Sequence, residues 1–265
     1  MFAAAMVAAT CAVASAQSVT PLSATRDIYV ESFVVDSMSY SSAFDSDNAH
    51  SETLTNFNRV LDRYLQLGKQ KATTHSSQIS SLTPTGYTAS FVTEETVACP
   101  SPGIAMGTAT GQLRSQFRVD APTRFSFDAS LKITVNGAGT TVTSSVTLAG
   151  AEGAVASLAR ALPGVASTRV TGVLQPGVYT VDSGLDVSTF TTPGPDIKSG
   201  RIECSVSLKF LCPADFDCSG FVDLEDHGSF VAAFEAGDPA ADFDGTGFVD
   251  TDDFTAFVTA FEHAC

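Results

Sequence analysis

An internal duplication near the end of the chain constrains the fold more than any other feature of the sequence. Residues 214–235 (ADFDCSGFVDLEDHGSFVAAFE) align with residues 241–262 (ADFDGTGFVDTDDFTAFVTAFE) at an offset of 27 residues, and 14 of the 22 positions are identical. A solvated acidic tail would not repeat its Gly, Phe and Val positions at a fixed offset. The segment is therefore predicted to be two copies of one small structural unit.

Each copy begins with a twelve-residue loop of the form D-x-D-x-[ST]-G-x-x-D-x-x-D, which is close to the EF-hand calcium pattern. Calcium takes about six to eight oxygen ligands, so the ligands must converge from alternate positions of a tightly curled loop. Gly220 and Gly247 hold the sixth position, where the turn is sharpest. The spacing predicts two calcium ions, one bound by Asp215, Asp217, Ser219, the Phe221 carbonyl, Asp223 and Asp226, the other by Asp242, Asp244, Thr246, the Phe248 carbonyl, Asp250 and Asp253.

One short amphipathic helix is predicted after each loop, because Phe and Val side chains recur there at i, i+1 and i+4. Pro213 and Pro239 stand before the loops and oppose an entering helix. Val222 and Val249, at the eighth loop position, are suited to a short strand contact between the two loops. A loop with only an exiting helix, repeated twice, is similar to the dockerin type I module. Residues 212–265 most closely resemble the GC-type dockerin, in which one Cys precedes the first loop and another follows the last helix.

The resemblance to dockerins implies a structural role for calcium and a protein partner. Dockerins bind cohesin domains of a scaffold through their helix faces, so a cohesin-like scaffold is the expected partner. The predicted helices carry no basic residues, which leaves a different surface receptor as the alternative. The resemblance also implies a disulfide between Cys212 and Cys265.

Charge divides the chain into two parts. Of the 29 acidic residues, 13 lie within 212–265, where there is no Lys or Arg, and the preceding residues carry 16 acidic against 14 basic side chains. This pattern indicates two domains and argues against nucleic acid as a partner of either. The predicted divisions are a signal peptide at 1–16, a β-sandwich domain at 17–210 and the dockerin-like module at 211–265.

The N-terminal stretch MFAAAMVAATCAVASAQ predicts export. It is apolar and ends in Ala14-Ser15-Ala16, the small-x-small pattern cut by a signal peptidase, so the mature chain is expected to start at Gln17. No later apolar run approaches the roughly 20 residues that span a bilayer. We expect a secreted protein that is extracellular or held at the cell surface, without a transmembrane segment.

The middle of the chain has the alternation of half-buried strands. Apolar side chains occupy every second position of 125–135, and Asn136-Gly137 then predicts a hairpin to the strand that follows. Residues 170–174 and 178–181 flank Gln175-Pro176-Gly177, which predicts a type II turn and a second hairpin. With further strands at 28–35, 87–92 and 202–210, the expected fold is mainly β, an antiparallel sandwich or jelly roll.

Two segments are harder to assign to strands. The apolar spacing of 54–67 favours a surface helix over a strand, and the Ala-rich stretch 154–162 is ambiguous. Five cysteines remain after the signal peptide. Once Cys212 and Cys265 pair as the resemblance implies, Cys99 and Cys204 are left to staple the sandwich, and Cys218 is a free or intermolecular thiol.

No catalytic constellation emerges from the sequence. The four histidines, at positions 50, 75, 227 and 263, have neither a metal-binding spacing nor a triad context. Adjacent Glu94 and Glu95 face opposite sides of a strand, which makes them a poor acid and base pair. Basic residues line either a sugar patch or a solvated sheet face: Arg114, Arg118, Arg124 and Lys132.

The resulting prediction is a non-catalytic protein whose dockerin-like module anchors a β-sandwich to a scaffold or cell surface. The alternative is a carbohydrate-binding or hydrolytic component of extracellular polysaccharide degradation, for which aromatic side chains on a concave sheet face would be the sign.

Overall fold

The computed structural model describes residues 19–83, 85–120, 122–217, 219, 221–244 and 246–263. The predicted signal peptide at 1–16 and the predicted roles of Gly220, Cys218 and Cys265 lie outside these residues. Within the described part, the chain divides into two compact units, Val19–Phe210 and a C-terminal unit that begins at Leu211. No helix of the described residues is long and apolar enough to cross a membrane.

The first unit consists of two six-stranded antiparallel sheets that pack face to face as a sandwich. Sheet A has the strand order β2-β1-β6-β11-β8-β9, and sheet B has the order β10-β7-β12-β5-β4-β3. The strands are β1 (Val19–Asp36), β2 (Ser41–Ser51), β3 (Phe57–Leu67), β4 (Gln70–Thr83), β5 (Gly86–Ala98), β6 (Gly103–Val119), β7 (Thr123–Asn136), β8 (Thr140–Gly150), β9 (Gly153–Arg160), β10 (Gly164–Leu174), β11 (Gly177–Thr191) and β12 (Ile197–Phe210).

The predicted strands exist, but the two predicted hairpins are wrong. Strand β7 pairs with β10 and β12 in sheet B, whereas β8 pairs with β9 and β11 in sheet A. The glycines after Asn136 do adopt positive φ, 84° at Gly137 and 91° at Gly139, yet the turn carries the chain from one sheet to the other. The turn around Pro176 likewise joins β10 of sheet B to β11 of sheet A, and Gly177 does not have the positive φ of the expected type II turn.

The predicted surface helix at 54–67 is also wrong, because residues Phe57–Leu67 form edge strand β3. Phe57, Leu61 and Leu65 are four residues apart, a spacing that puts side chains on one face of a helix and also on one face of a strand. The partner strand decides between them, since β3 pairs with β4 along its whole length. The ambiguous Ala-rich stretch at 154–162 overlaps strand β9.

The interior of the sandwich contains two apolar clusters separated by a polar belt. The large cluster includes Phe91, Phe117 and Phe127, and a small one at the far end includes Val34 and Val97. Between them the inward-facing side chains are polar, and the Ser32 and Thr74 hydroxyls lie 3.1 Å apart there. Arg26 on β1 is also fully buried, and it donates through Nε to Ser80 Oγ at 2.8 Å and also to the Thr53 carbonyl.

Glu95 lies in this polar belt and is almost completely buried. Two glycines make room for it: a Cβ at Gly107 would lie 3.1 Å from Glu95 Oε2, and one at Gly200 would lie 3.7 Å from Oε1. Within the part of the chain that the structure describes, neither carboxyl oxygen has a hydrogen-bond partner of normal geometry. Burial raises the pKa of Glu95 to about 8, and the nearby Thr189 offsets part of that rise. The carboxyl group is therefore protonated in the folded protein at neutral pH.

Cys99 and Cys204 are both buried and free, so the expected disulfide between them is wrong. Cys99 belongs to the small apolar cluster and Cys204 to the large one, so the two thiols are packed in different parts of the interior. Cys212 is disulfide-bonded. Cys265 lies outside the described residues, so its pairing with Cys212 stays a prediction.

The C-terminal unit has helix α1 (Leu224–Ala236), a 3₁₀ turn (Pro239–Ala241) and helix α2 (Thr251–His263). The rings of Phe230 and Phe257 are buried and stack with centroids 4.0 Å apart and planes at 4°. His227 packs its ring near those of Phe257 and Phe261, at 6.2 and 5.9 Å. In the described residues Val222 and Val249 lie outside any strand, so the expected strand contact between the loops does not form; both valines instead pack against the Phe core.

Candidate metal centres

The first loop brings three carboxylates together. One ligand atom from each of Asp215, Asp217 and Asp226 lies within 4.8 Å of the others. Asp226 is held by two backbone amides: Asp217 N donates to its Oδ1 at 3.0 Å and Asp223 N donates to its Oδ2 at 2.8 Å. Asp217 accepts a hydrogen bond of 2.8 Å from the amide of Ser219, which holds the pKa of Asp217 below its ordinary value.

The second loop repeats this arrangement 27 residues later, with ligand atoms of Asp242, Asp244 and Asp253 within 4.8 Å of one another. Asp253 Oδ1 accepts from the amides of Phe243 at 2.6 Å and Asp244 at 3.0 Å, and its Oδ2 accepts from Asp250 N at 2.8 Å. Burial alone would raise the pKa of Asp253, but these three amide donors keep it below its ordinary value. The carboxylate of Asp253 is thus ionised and fixed in place, and that of Asp226 is fixed by its two amide donors.

Asp242 provides the test of whether a cation fits. Its Oδ2 accepts from Gly247 N at 2.8 Å, and φ of Gly247 is 90°, so the sixth loop position has the left-handed turn expected there. Its Oδ1 is buried and has no hydrogen-bond partner among the described residues. A buried, unpartnered carboxylate oxygen beside two further carboxylates is costly without a positive charge. A hard cation with oxygen ligands suits this donor set.

The other predicted ligands do not belong to the carboxylate clusters. Asp223 is the N-cap of α1 and accepts from Glu225 N at 2.8 Å, and Asp250 accepts from Asp252 N at 2.8 Å. Ser219 Oγ lies 3.3 Å from the Phe221 carbonyl oxygen, and Thr246 N donates to Asp244 Oδ1 at 3.0 Å. Phe221 and Phe248 have hydrocarbon side chains, which are exposed, and each could offer only its backbone carbonyl to a metal ion.

The sequence analysis did not predict that the end of the first loop also caps helix α1. Asp223 and Asp226 form a capping box, in which the Asp223 side chain accepts from the first turn of α1 and Asp226 accepts from the Asp223 amide. The signal was present as D-x-x-D directly before an apolar helical run. The same residues therefore start the helix and complete the carboxylate cluster, so helix formation and cluster geometry depend on each other.

No protein-family model matches the chain, and no curated protein matches it significantly. Among solved structures the chain is similar to tailspike protein 4 of bacteriophage CBA120, with 14% identity, a TM-score of 0.20 and coverage of 58% of this chain and 19% of that one. It is also similar to a structure of infectious bursal disease virus Gt strain, with 12% identity, a TM-score of 0.21 and coverage of 72% of this chain and 56% of that one. A third similar structure is the MgGH51 α-L-arabinofuranosidase, with 11% identity, a TM-score of 0.21 and coverage of 61% of this chain and 25% of that one. The chain thus spans 19% to 56% of the length of these structures, and at such TM-scores the likeness carries no functional argument.

Proposed function

We propose that residues 211–265 bind two calcium ions, that calcium is required for their folding, and that the folded module attaches the sandwich to a protein scaffold or surface receptor. The observation that carries the proposal is the pair of Asp clusters, which share one hydrogen-bonding arrangement at the 27-residue offset. When bound, calcium would neutralise three converging carboxylates in each loop.

The charge of the module supports coupling between metal binding and folding. Residues 212–265 carry 13 acidic side chains and no Lys or Arg, so nothing within the segment offsets their mutual repulsion. The apolar core is small and consists chiefly of Phe rings around Phe230 and Phe257. A domain of this size rarely folds on its core alone, and metal binding then supplies part of the free energy of folding.

Exposed apolar side chains on the module support a protein partner. Phe221 and Phe248 occupy equivalent positions of the two loops and are 76% and 75% exposed, and Leu224 at the start of α1 is 81% exposed. Each of these exposed apolar side chains offers contact area to another protein. The export predicted from residues 1–16 would place such a module where extracellular calcium is available.

Calcium titration of the full chain tests the metal part of the proposal. Calorimetry on chelator-stripped protein should give two ions per chain, and Asp242→Asn with Asp253→Asn should give one. Glu235→Gln is the matched control, because Glu235 is an exposed acid of α1 outside both clusters, and it should leave two ions bound.

Two optical signals separate the module from the sandwich. All five Tyr lie in the sandwich and the chain has no Trp, so near-ultraviolet circular dichroism of Tyr reports on the sandwich alone. EGTA should reduce the helical signal at 222 nm and leave the Tyr signal unchanged. An unchanged 222 nm signal, or stoichiometry that the double variant does not lower, would refute calcium-dependent folding.

The attachment step is tested separately, by surface plasmon resonance of the full chain on an immobilised type I cohesin domain. Binding that requires calcium and is weakened by Phe221→Ala with Phe248→Ala is expected. Absence of binding would reject a cohesin partner, while the calcium stoichiometry would still decide the metal part.

A further inference from the structure

The outer face of sheet A contains a continuous trough over its central strands. Three adjoining cavities of about 570, 370 and 230 Å³ lie along it. The first two share Arg114 and Asp182, and the last two share Gln112 and Gly184. On β11 the lining runs from Val178 to Asp186, which corresponds to about 25 Å along an extended strand. The trough is therefore long and narrow and suits a chain-like ligand.

Arg114 and Asp182 in the trough face each other but do not form an ion pair. They are directly opposite in the β6 and β11 register and line the same two cavities. Within the described part of the chain, neither side chain has a hydrogen bond or a salt bridge to another residue. On sheet B the equivalent cross-strand pair, Arg169 and Asp128, does interact, with Nε and Oδ1 3.5 Å apart. The charged groups of Arg114 and Asp182 thus remain available to a ligand.

Gly184 keeps the floor of the trough low. Its φ is not positive, so its backbone conformation does not require glycine, and an added Cβ would approach only Ser145 Oγ, at 4.0 Å. Next to it, Gln112 and Asp186 point the same way from the sheet and have no hydrogen-bond partner among the described residues. An amide, two carboxylates and a guanidinium therefore present free donors and acceptors along one open groove.

The charges of the trough select against polyanions. Asp182 and Asp186 outnumber Arg114, and Asp27 is paired with His50, so a polyanion or a nucleic acid would be repelled. Neutral vicinal hydroxyl groups match such a lining, because carboxylate, amide and guanidinium groups each accept or donate hydrogen bonds in pairs. The same face also has an apolar row across four strands, formed by Phe44, Phe33, Met106 and Phe190.

This apolar row supplies what a sugar ring needs besides hydrogen bonds. Phe44 is 59% exposed and Phe190 is 45% exposed, and both project from the face that carries the trough. Aromatic faces pack well against the C–H face of a pyranose ring, while the hydroxyl groups reach polar side chains nearby. We propose that this face of sheet A, from the Phe row through the trough, binds a neutral polysaccharide chain.

The test uses the full chain in calcium on an array of neutral hexaoses (cello-, xylo-, manno- and malto-oligosaccharides), with alginate and polygalacturonate oligosaccharides as the anionic arm. Binding to at least one neutral series is expected. Asp182→Ala should weaken that binding by about tenfold, since a hydrogen bond to a charged group is lost. Gly184→Val should abolish it, because Val is well suited to a strand and its methyl groups would fill the trough.

Asp128→Ala is the matched control, since it removes the same side chain, an aspartate, from the same kind of cross-strand pair on the opposite sheet, and it should leave binding unchanged. Binding should also persist in EGTA, because the trough belongs to the sandwich unit. No neutral glycan bound, a preference for the anionic arm, loss of binding in EGTA, or unchanged binding by a folded Gly184→Val protein would each overturn the proposal.

Discussion

Replacing Glu95 with Gln should remove most of the pH dependence of the stability of the sandwich. In the folded protein burial raises the pKa of this carboxyl group from the ordinary 4.5 to about 8. Between these two values the unfolded chain has lost the proton and the folded chain keeps it. The free energy of unfolding of the wild type therefore falls as pH rises across this window, by about 1.4 kcal/mol per pH unit.

Over the whole window the loss amounts to about 5 kcal/mol, a large share of the 5 to 15 kcal/mol that typically stabilises a domain. Below pH 4.5 both states are protonated and the effect disappears. Glu95→Gln stays neutral at every pH, so its stability should not show this fall, and above pH 7 the variant should be the more stable protein. The partly buried Asp186, whose pKa burial also raises, is present in both proteins and cancels in the comparison.

The measurement is urea unfolding of the full chain between pH 5 and 8.5, monitored by the near-ultraviolet circular dichroism of the Tyr residues, all of which lie in the sandwich. Glu94→Gln is the control: Glu94 neighbours Glu95 on β5 but faces outward and pairs with Arg201, and an exposed pair contributes only about 0 to 1 kcal/mol. It should keep the wild-type slope. A wild-type stability that is flat from pH 5 to 8, or a Glu95→Gln protein with the wild-type slope, would refute the reasoning.

Three further predictions concern single positions. Gly247→Ala should destabilise the C-terminal unit by about 1 to 3 kcal/mol, because φ of Gly247 is 90°. Gly228→Ala within α1 should instead stabilise the unit by about 0.5 to 1 kcal/mol, because an added Cβ meets no other atom there; thermal melts followed at 222 nm compare the two variants. Phe230→Ala should cost about 3 to 5 kcal/mol in the same melts, since its ring is buried against that of Phe257. Cys99 and Cys204 should resist iodoacetamide in the native protein and react after denaturation, since both thiols are buried and burial raises the pKa of Cys204 to about 12. Peptide mapping that finds either cysteine labelled in the native state would contradict the structure.

The sequence alone identified the features that depend on local patterns. Alternating apolar residues marked the strands around Phe127 and Leu208, because the period of a strand is set by its own backbone. The 27-residue repeat predicted two equivalent loops, and the left-handed Gly247 follows from the sharp turn that such a loop requires. The clustering of Asp242, Asp244 and Asp253 was likewise predictable, because all three belong to one short segment.

What only the tertiary structure decided is which strands pair and what lies between the sheets. A turn such as that at Gly137 looks the same in sequence whether it closes a hairpin or joins two sheets, because partner choice depends on strands far away in the chain. Edge strand β3 became a strand through pairing with β4, since its apolar spacing satisfies both periods. Glu95 could be expected to face away from Glu94, but its burial depends on Gly107 and Gly200 of two other strands. The trough on sheet A has the same origin, since Gln112, Ser145 and Gly184 come from three strands and meet only after the sheet has formed.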